Sequence, residues 1–140
     1  MASINPIVRR AEASEADVLT RIAFAAKAHW GYPAVLLERW RPQLTITREF
    51  IGANPVWVAE SAGTLLGFAA VVPLGRRARL EHLWIDPPAM RRGVGRTLFQ
   101  KAAETARESG WECLEFDSDP HAEGFYLRMG ARRLRLNDDP

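Results

Sequence analysis

Cysteine is nearly absent from this sequence. Cys113 is the only one in 140 residues, so no internal disulfide can form and no set of thiolates exists for a zinc site. Long apolar runs are missing too. None approaches the roughly 20 residues that a membrane helix needs, and Lys27 interrupts the apolar stretch 22–28. The opening MASINPIVRRAEASEADV lacks the basic-then-apolar order of a secretory signal. Repeats and low-complexity segments are absent as well, so no linker and no second domain are expected. What remains is a profile of 47% hydrophobic and 26% charged residues, enough to bury a core without staples. The expectation is one cytoplasmic domain over residues 1–140, with no metal.

Lysine is scarce, since 17 of the 19 basic residues are arginine, and the formal net charge is only +2. Distribution says more than the total. Between Gly75 and Gln100, Arg76, Arg77, Arg79, Arg91, Arg92 and Arg96 face only Glu81 and Asp86. Between Glu104 and Glu123 the excess is acidic. An anion-binding patch beside an acidic wall is one reading, and solvated faces are the other. A general nucleic-acid binder calls for a broader excess of one sign, so nucleic acid is not the expected partner.

The hydrophobic pattern gives an alternating order of elements. Ile4–Arg10 reads as a strand. Ser14 precedes acids and an apolar series at helical spacing that runs to Ala28, so it is the expected N-cap. HWGYP (residues 29–33) breaks that helix. Ala34–Trp40 and Thr47–Ile51 read as further helical turns. Val56–Glu60, Thr64–Val72 and Arg79–Ile85 read as three consecutive strands, with Ser61–Ala62–Gly63 and residues 73–77 as turns. Val94, Leu98, Ala102 and Ala106 recur every fourth residue, which predicts a helix over Gly95–Ser109. Trp111–Asp117 reads as a strand with Trp111, Cys113 and Phe116 inward. A helix from Pro120 to Gly130 and a strand over Ala131–Leu136 complete the chain. This order predicts an α/β fold, a mixed sheet flanked by helices.

The strongest local signal for chemistry is the run LWIDPPAMRRGVGR (residues 83–96). It joins a strand to the best helix through a glycine-containing loop. The first amides of a helix have no intrahelical partner, and the helix dipole makes that end positive. Glycines at 93 and 95 allow close backbone approach, and Arg91, Arg92 and Arg96 add charge. The spacing matches neither the mononucleotide loop G-x-x-x-x-G-K-[ST] nor the dinucleotide pattern G-x-G-x-x-G. The pyrophosphate of another carrier remains as the fitting anion.

MRRGVG after LEHLWIDPPA resembles the acetyl-coenzyme A loop, Q/R-x-x-G-x-G/A, of the GNAT N-acetyltransferases. DPHAEGFYLRMGA (residues 119–131) resembles that family's N-x-x-A-x-x-F-Y-x-x-x-G-F/A stretch, and the interval between the two motifs matches. HWGYP with the following LLERW resembles a bacterial subgroup whose acceptor the sequence does not identify. Met90 stands at the family's Q/R position and Asp119 at its Asn. The resemblance implies a mostly antiparallel sheet of six to seven strands with about four helices and a splayed central strand pair, Arg79–Ile85 and Trp111–Asp117.

It also implies roles. The cosubstrate is acetyl-coenzyme A, with its pyrophosphate on the amides of Arg91, Arg92, Gly93, Val94, Gly95 and Arg96. The pantetheine arm would lie along the backbone of Leu83, Trp84 and Ile85 and contact Asp119. Tyr126 would protonate the departing thiolate, a role a phenol of pKa near 10 can fill. Phe125 and Tyr126 must face different sides, and the motif assigns the cleft to Tyr126. Direct transfer in a ternary complex requires a base for the amine. Glu81 is the best candidate, the alternative being a surface glutamate paired with an arginine. His82 alternates to the opposite face unless a bulge intervenes. His121 is expected at the surface.

His29, Trp30 and Tyr32, with Trp40, sit where the family places its acceptor loop. The aromatic faces suit a cationic amine, and the competing reading is a lid on the core. The partners implied are a small-molecule or peptide amine, with a homodimer left open and no membrane. A rival class is a non-catalytic acyl-coenzyme A sensor of the same fold, and a third reading is an acetyltransferase directed at RNA.

Overall fold

Arg9 ties the first strand to the first helix in the computed structural model, which describes residues 4–118 and 120–132. Its guanidinium donates to the two oxygens of Glu15 at 3.0 and 2.7 Å and to Glu60 at 2.9 Å. Strand β1 (Ile7–Arg10), a 3₁₀ turn (Ala13–Glu15) and β2 (Val56–Ser61) are thereby braced together. The Arg9 hydrogen bonds hold the Glu15 carboxyl below its ordinary range. Glu15 also accepts from the Glu12 N–H at 2.8 Å. That contact, rather than the expected Ser14 cap, sits at the start of helix α1 (Ala16–Ala28).

Leu19, Ile22, Ala23 and Ala26 form the buried stripe of α1. Gly31, at φ +87°, turns the chain after it. The next segment divides into three short helices, α2 (Ala34–Arg39), α3 (Arg41–Leu44) and α4 (Arg48–Ala53). Pro42 stands in the first turn of α3, where its missing N–H costs nothing. Thr47 caps α4, its hydroxyl accepting from Phe50 N–H at 3.0 Å.

The sheet continues with β3 (Thr64–Leu74), β4 (Arg77–Ile85) and β5 (Leu114–Glu115), in the spatial order β1-β2-β3-β4-β5. The first four strands run antiparallel and β5 joins β4 in parallel. Ala62 (φ +51°) and Gly63 (φ +80°) close the β2–β3 hairpin, both in the left-handed region that a tight two-residue turn demands.

Alternation splits the core in two. Val56, Val58, Phe68 and Ala70 pack with α1, Leu44, Ile46 and Ile51 on one face. Ala59, Ala69, Val71, Ala78 and Leu80 meet Val94, Leu98, Phe99 and Ala102 of α5 (Val94–Glu108) on the other. Helix α6 (Glu123–Arg128) follows a 3₁₀ turn, Pro120–Ala122.

The described residues form an α/β fold with a mixed sheet of five strands rather than six to seven, and six α-helices rather than about four. The expected last strand, 131–136, falls mostly outside the described residues, as does Asp119. The opening strand begins at Ile7 rather than Ile4. Trp111–Asp117 pairs with β4 only at Ala78↔Leu114 and Arg79↔Glu115. So short a ladder does not impose alternation, and Cys113 is exposed, not buried as expected.

Gly67 faces Ile85 across the β3–β4 ladder. A Cβ there would stand 2.7 Å from the Trp84 carbonyl oxygen and 2.9 Å from Ile85 Cδ1. Gly67→Ala should therefore destabilise the fold by about 1–3 kcal/mol, read as a lower urea midpoint at unchanged slope. An unshifted midpoint would show that β3 and β4 separate freely at this position.

Candidate active site

Two features of β4 shape an opening in the sheet. The first is a bulge. Ala70 and Val71 are consecutive on β3, but their partners are His82 and Leu80, so Glu81 is an extra residue on β4. Leu80 packs on the α5 face, while the His82 ring meets Phe50 and Phe68 on the α1 face. Beyond the bulge, Leu83 and Ile85 pack on the α5 face and Trp84 on the α1 face.

The second feature is where pairing stops. β4 and β5 are joined only up to Arg79. Asp86 N–H donates to Leu66 O on the β3 side at 2.8 Å. Successive peptide groups point to opposite edges of a strand, so those of Leu83 and Ile85 point to the β5 side. There, among the described residues, no strand pairs with them.

This open edge leads into the expected anion loop. Arg91 (φ +63°) and Gly93 (φ +86°) both take the left-handed region, a conformation uncommon for arginine. Ile4 N–H ties the loop by donating to Arg92 O at 2.9 Å, and Thr97 N–H returns to Gly93 O at 3.2 Å. The amides of Val94, Gly95 and Arg96 precede that first helical bond, at the positive end of α5. Arg91 and Arg96 are exposed and Arg92 is half-buried. A Cβ on Gly95 would lie 3.5 Å from the Phe125 ring and 3.7 Å from Ile85 Cγ1. Phe125 therefore sits where the loop meets the open edge.

A cavity of about 470 Å³ lies beside the bulge on the α1 face. Trp40, Phe50 and Trp84 line it with Glu81 and His82. Arg79 Nε donates to Glu81 at 3.0 Å and Arg79 NH2 to Asp117 at 2.7 Å. The Asp117 bond comes first among the contacts that raise the Arg79 pKa, with burial opposing them. Glu81 thus has the arginine partner that was the alternative to a free base. The Trp84 indole N–H donates to His82 Nδ1 at 3.0 Å. Burial pushes His82 down to about 4, so its ring is neutral at physiological pH.

Of the residues expected at the acceptor, Trp40 lines this cavity. His29, Trp30 and Tyr32 do not line this cavity. Trp30 stacks on the exposed His121 ring at 5.0 Å, and the Tyr32 hydroxyl lies 3.3 Å from His121 Nδ1. The Lys27 ammonium stands over Tyr32 and Trp40, at 4.8 and 4.6 Å from the ring centroids. The chain's own cation thus lies at the aromatic faces that suggested a cationic ligand. Trp84, whose backbone is expected along the cofactor arm, turns its indole into the cavity. Phe50, Gln43 and Thr45 also line the cavity and were not singled out from the sequence; only the bulge, which has no compositional signature, would have pointed there.

Tyr126 packs on Phe116 at 4.3 Å and on Phe99 at 5.8 Å. It lines a second, larger cavity along β5, together with Phe116, Asp117 and Met129. Tyr126 and Glu81 are therefore not brought into one cavity. Arg79 is common to both.

Comparison with known proteins identifies the family and the fold. The family model described as "Acetyltransferase (GNAT) family" matches residues 20–131. The chain is 33% identical over 95 residues to the peptidyl-lysine N-acetyltransferase YiaC of Escherichia coli K12, covering 67% of this chain and 62% of that protein. It is 33% identical over 101 residues to the N-alpha-acetyltransferase RimI of Mycobacterium tuberculosis, covering 68% and 63% respectively. The match thus spans less than two thirds of either relative. The PaiA N-acetyltransferase of Thermoplasma acidophilum, solved with coenzyme A, has the same fold at a TM-score of 0.76 and 20% identity, covering 90% of this chain and 89% of that one.

The depressed His82 pKa has a consequence for stability. The unfolded chain takes up a proton near pH 6.5 that the folded chain refuses until about pH 4. The stabilisation is complete above pH 6.5 and is lost as the pH falls toward 4, by about 3 kcal/mol in all. Urea denaturation across that window should show this slope in the wild type and lose it in His82→Gln. Equal slopes in the two proteins would place His82 in water.

Proposed function

The chain belongs to the GNAT acetyltransferase family, and from that premise we propose that it transfers an acetyl group from acetyl-coenzyme A to a primary amine of a peptide or small molecule. The observation that carries this reading is the gap beyond Arg79, with an arginine-flanked helix start at its end. The donor is an extended, amide-bearing arm that ends in a pyrophosphate, and the residues present suit both parts. The backbone of Leu83 and Ile85 offers an unpaired edge for the arm. The amides of residues 93–96 with Arg91, Arg92 and Arg96 offer donors and positive charge for the pyrophosphate.

Acetyl-coenzyme A supplies an activated acyl carbon as a thioester. An N–C bond forms as the C–S bond breaks. The amine proton passes to Glu81, directly or through water, and the leaving sulfur takes a proton from Tyr126. Glu81 stands on the bulge at the open edge, which supports its part. Tyr126 follows Phe125, the ring beside Gly95 and Ile85, which supports its position at the far side of the gap. Similarity to a peptidyl-lysine and an N-alpha enzyme supports an amine as the acceptor.

The rival is a module that binds acyl-coenzyme A without transferring the acyl group. The Arg79–Glu81 pair and the separate cavities of Glu81 and Tyr126 favour it. A rise in melting temperature with acetyl-coenzyme A, but no thiol release over a panel of amines, would decide for the rival.

Acetyl-coenzyme A should raise the melting temperature by mass action, since it binds only the native state. Gly93→Glu should remove that rise by setting bulk and negative charge against the pyrophosphate. Gly75→Glu is the control, because Gly75 also has positive φ (+66°) but lies in the β3–β4 turn. It should lower stability and keep the ligand-induced rise. Equal rises in both variants would take the loop out of the binding site. Tyr126→Phe should lower turnover about 10²-fold with cofactor affinity nearly unchanged. Wild-type turnover would mean that another group protonates the sulfur.

A further inference from the structure

His82 and its link to Trp84 take no part in the transfer as proposed. His82 is only 9% exposed. An indole N–H can only donate, so Nδ1 carries a lone pair and the neutral ring has its proton on Nε2. Among the described residues, Trp57 Nε1 is the one buried side-chain N or O atom closed to solvent with no hydrogen-bond partner. His82 Nε2 donates to none of the described residues and is not closed off in this way, and its ring lines the cavity. The result is a buried donor of fixed direction, one residue from Glu81. A ligand that displaces water from such a donor must bring an acceptor atom of its own.

The proton acceptors of the cavity narrow the ligand further. Glu81 is held by Arg79 at 3.0 Å, and the His82 ring resists a second proton. An amine that reaches the site already neutral asks the least of either group. A lysine side chain, with a pKa of about 10.4, is neutral in roughly one molecule per thousand near pH 7.4. A peptide α-amine, with a pKa of about 8, is neutral in roughly one of five. The α-amine also has a carbonyl on the carbon next to its own. That oxygen supplies the acceptor atom, whereas the four methylenes of lysine supply none.

We infer that the acceptor is an α-amine flanked by a carbonyl, as in a peptide N-terminus or an amino-acid amide, and that His82 Nε2–H holds this carbonyl oxygen while the amine faces Glu81. The inference rests on the transferase reading and specifies the acceptor of the same site. Trp84 is then a positioning residue, because its indole fixes which imidazole nitrogen donates.

Thiol release from acetyl-coenzyme A tests this with two peptides. One has a free N-terminus and no lysine; the other is the same peptide with a blocked N-terminus and one added lysine. The first should show a kcat/KM at least about tenfold higher, since a site built to hydrogen-bond a group discriminates against ligands that lack it. His82→Leu should erase most of that margin, and His82→Gln, whose amide can donate, should restore part of it. Should leucine unfold the domain, Trp84→Phe provides the second measurement and should narrow the margin by freeing the tautomer. A margin unchanged in the folded variants overturns the role of His82. Equal or faster reaction of the lysine peptide overturns the inference and leaves the transferase reading standing. Thiol release with neither peptide nor any simple alkylamine overturns both.

Discussion

The extra residue at Glu81 decides which way every later side chain of β4 faces. In a regular strand His82 would share a face with Leu80 and pack under α5. The bulge instead sends His82 and Trp84 toward α1 and leaves Leu83 and Ile85 on the α5 side. The cavity, the imidazole–indole bond and the outward carboxylate of Glu81 all follow from that one shift in register. Bulges re-aim side chains and disturb pairing locally, and here the ladder to β5 stops two residues before the bulge, at Arg79.

Arg79 holds the two halves of the site together. It pairs with Glu81 on its own strand and with Asp117 on the segment after β5, and it lines both cavities. Partial exposure limits the energy of such pairs to about 1 kcal/mol or less. Its weight is therefore geometric. It marks the point where the sheet divides and sets the carboxylate of Glu81 near the opening.

The sequence made the scaffold legible wherever a local rule acts alone. The four-residue spacing of Val94, Leu98, Ala102 and Ala106 marked α5, and all four are buried. Ala62 and Gly63 marked the hairpin, and the glycine-arginine run marked the loop before α5. Readings that depended on long-range contacts were less successful. Ser14 lost the cap because Arg9 draws Glu15 into place. Cys113 is expected inward on a strand over 111–117, but the strand that forms has two residues and imposes no alternation. The aromatics of residues 29–33 were rightly placed in a loop. Their faces, however, are engaged by Lys27 and His121, which are close in space and not in sequence.

The position of the gap bears on how this protein avoids its own kind. Unpaired strand edges usually lie on the rim of a sheet, where a neighbour can add a strand and begin aggregation. Here the unpaired peptide groups of Leu83 and Ile85 form a short stretch that begins where the Ala78↔Leu114 and Arg79↔Glu115 pairs end. A slender chain can lie along it. A longer strand from another molecule, laid along all of β4, would run into Leu114 and Glu115, which already hold Ala78 and Arg79. The free stretch is thus matched to an extended ligand and too short for full pairing with a second copy.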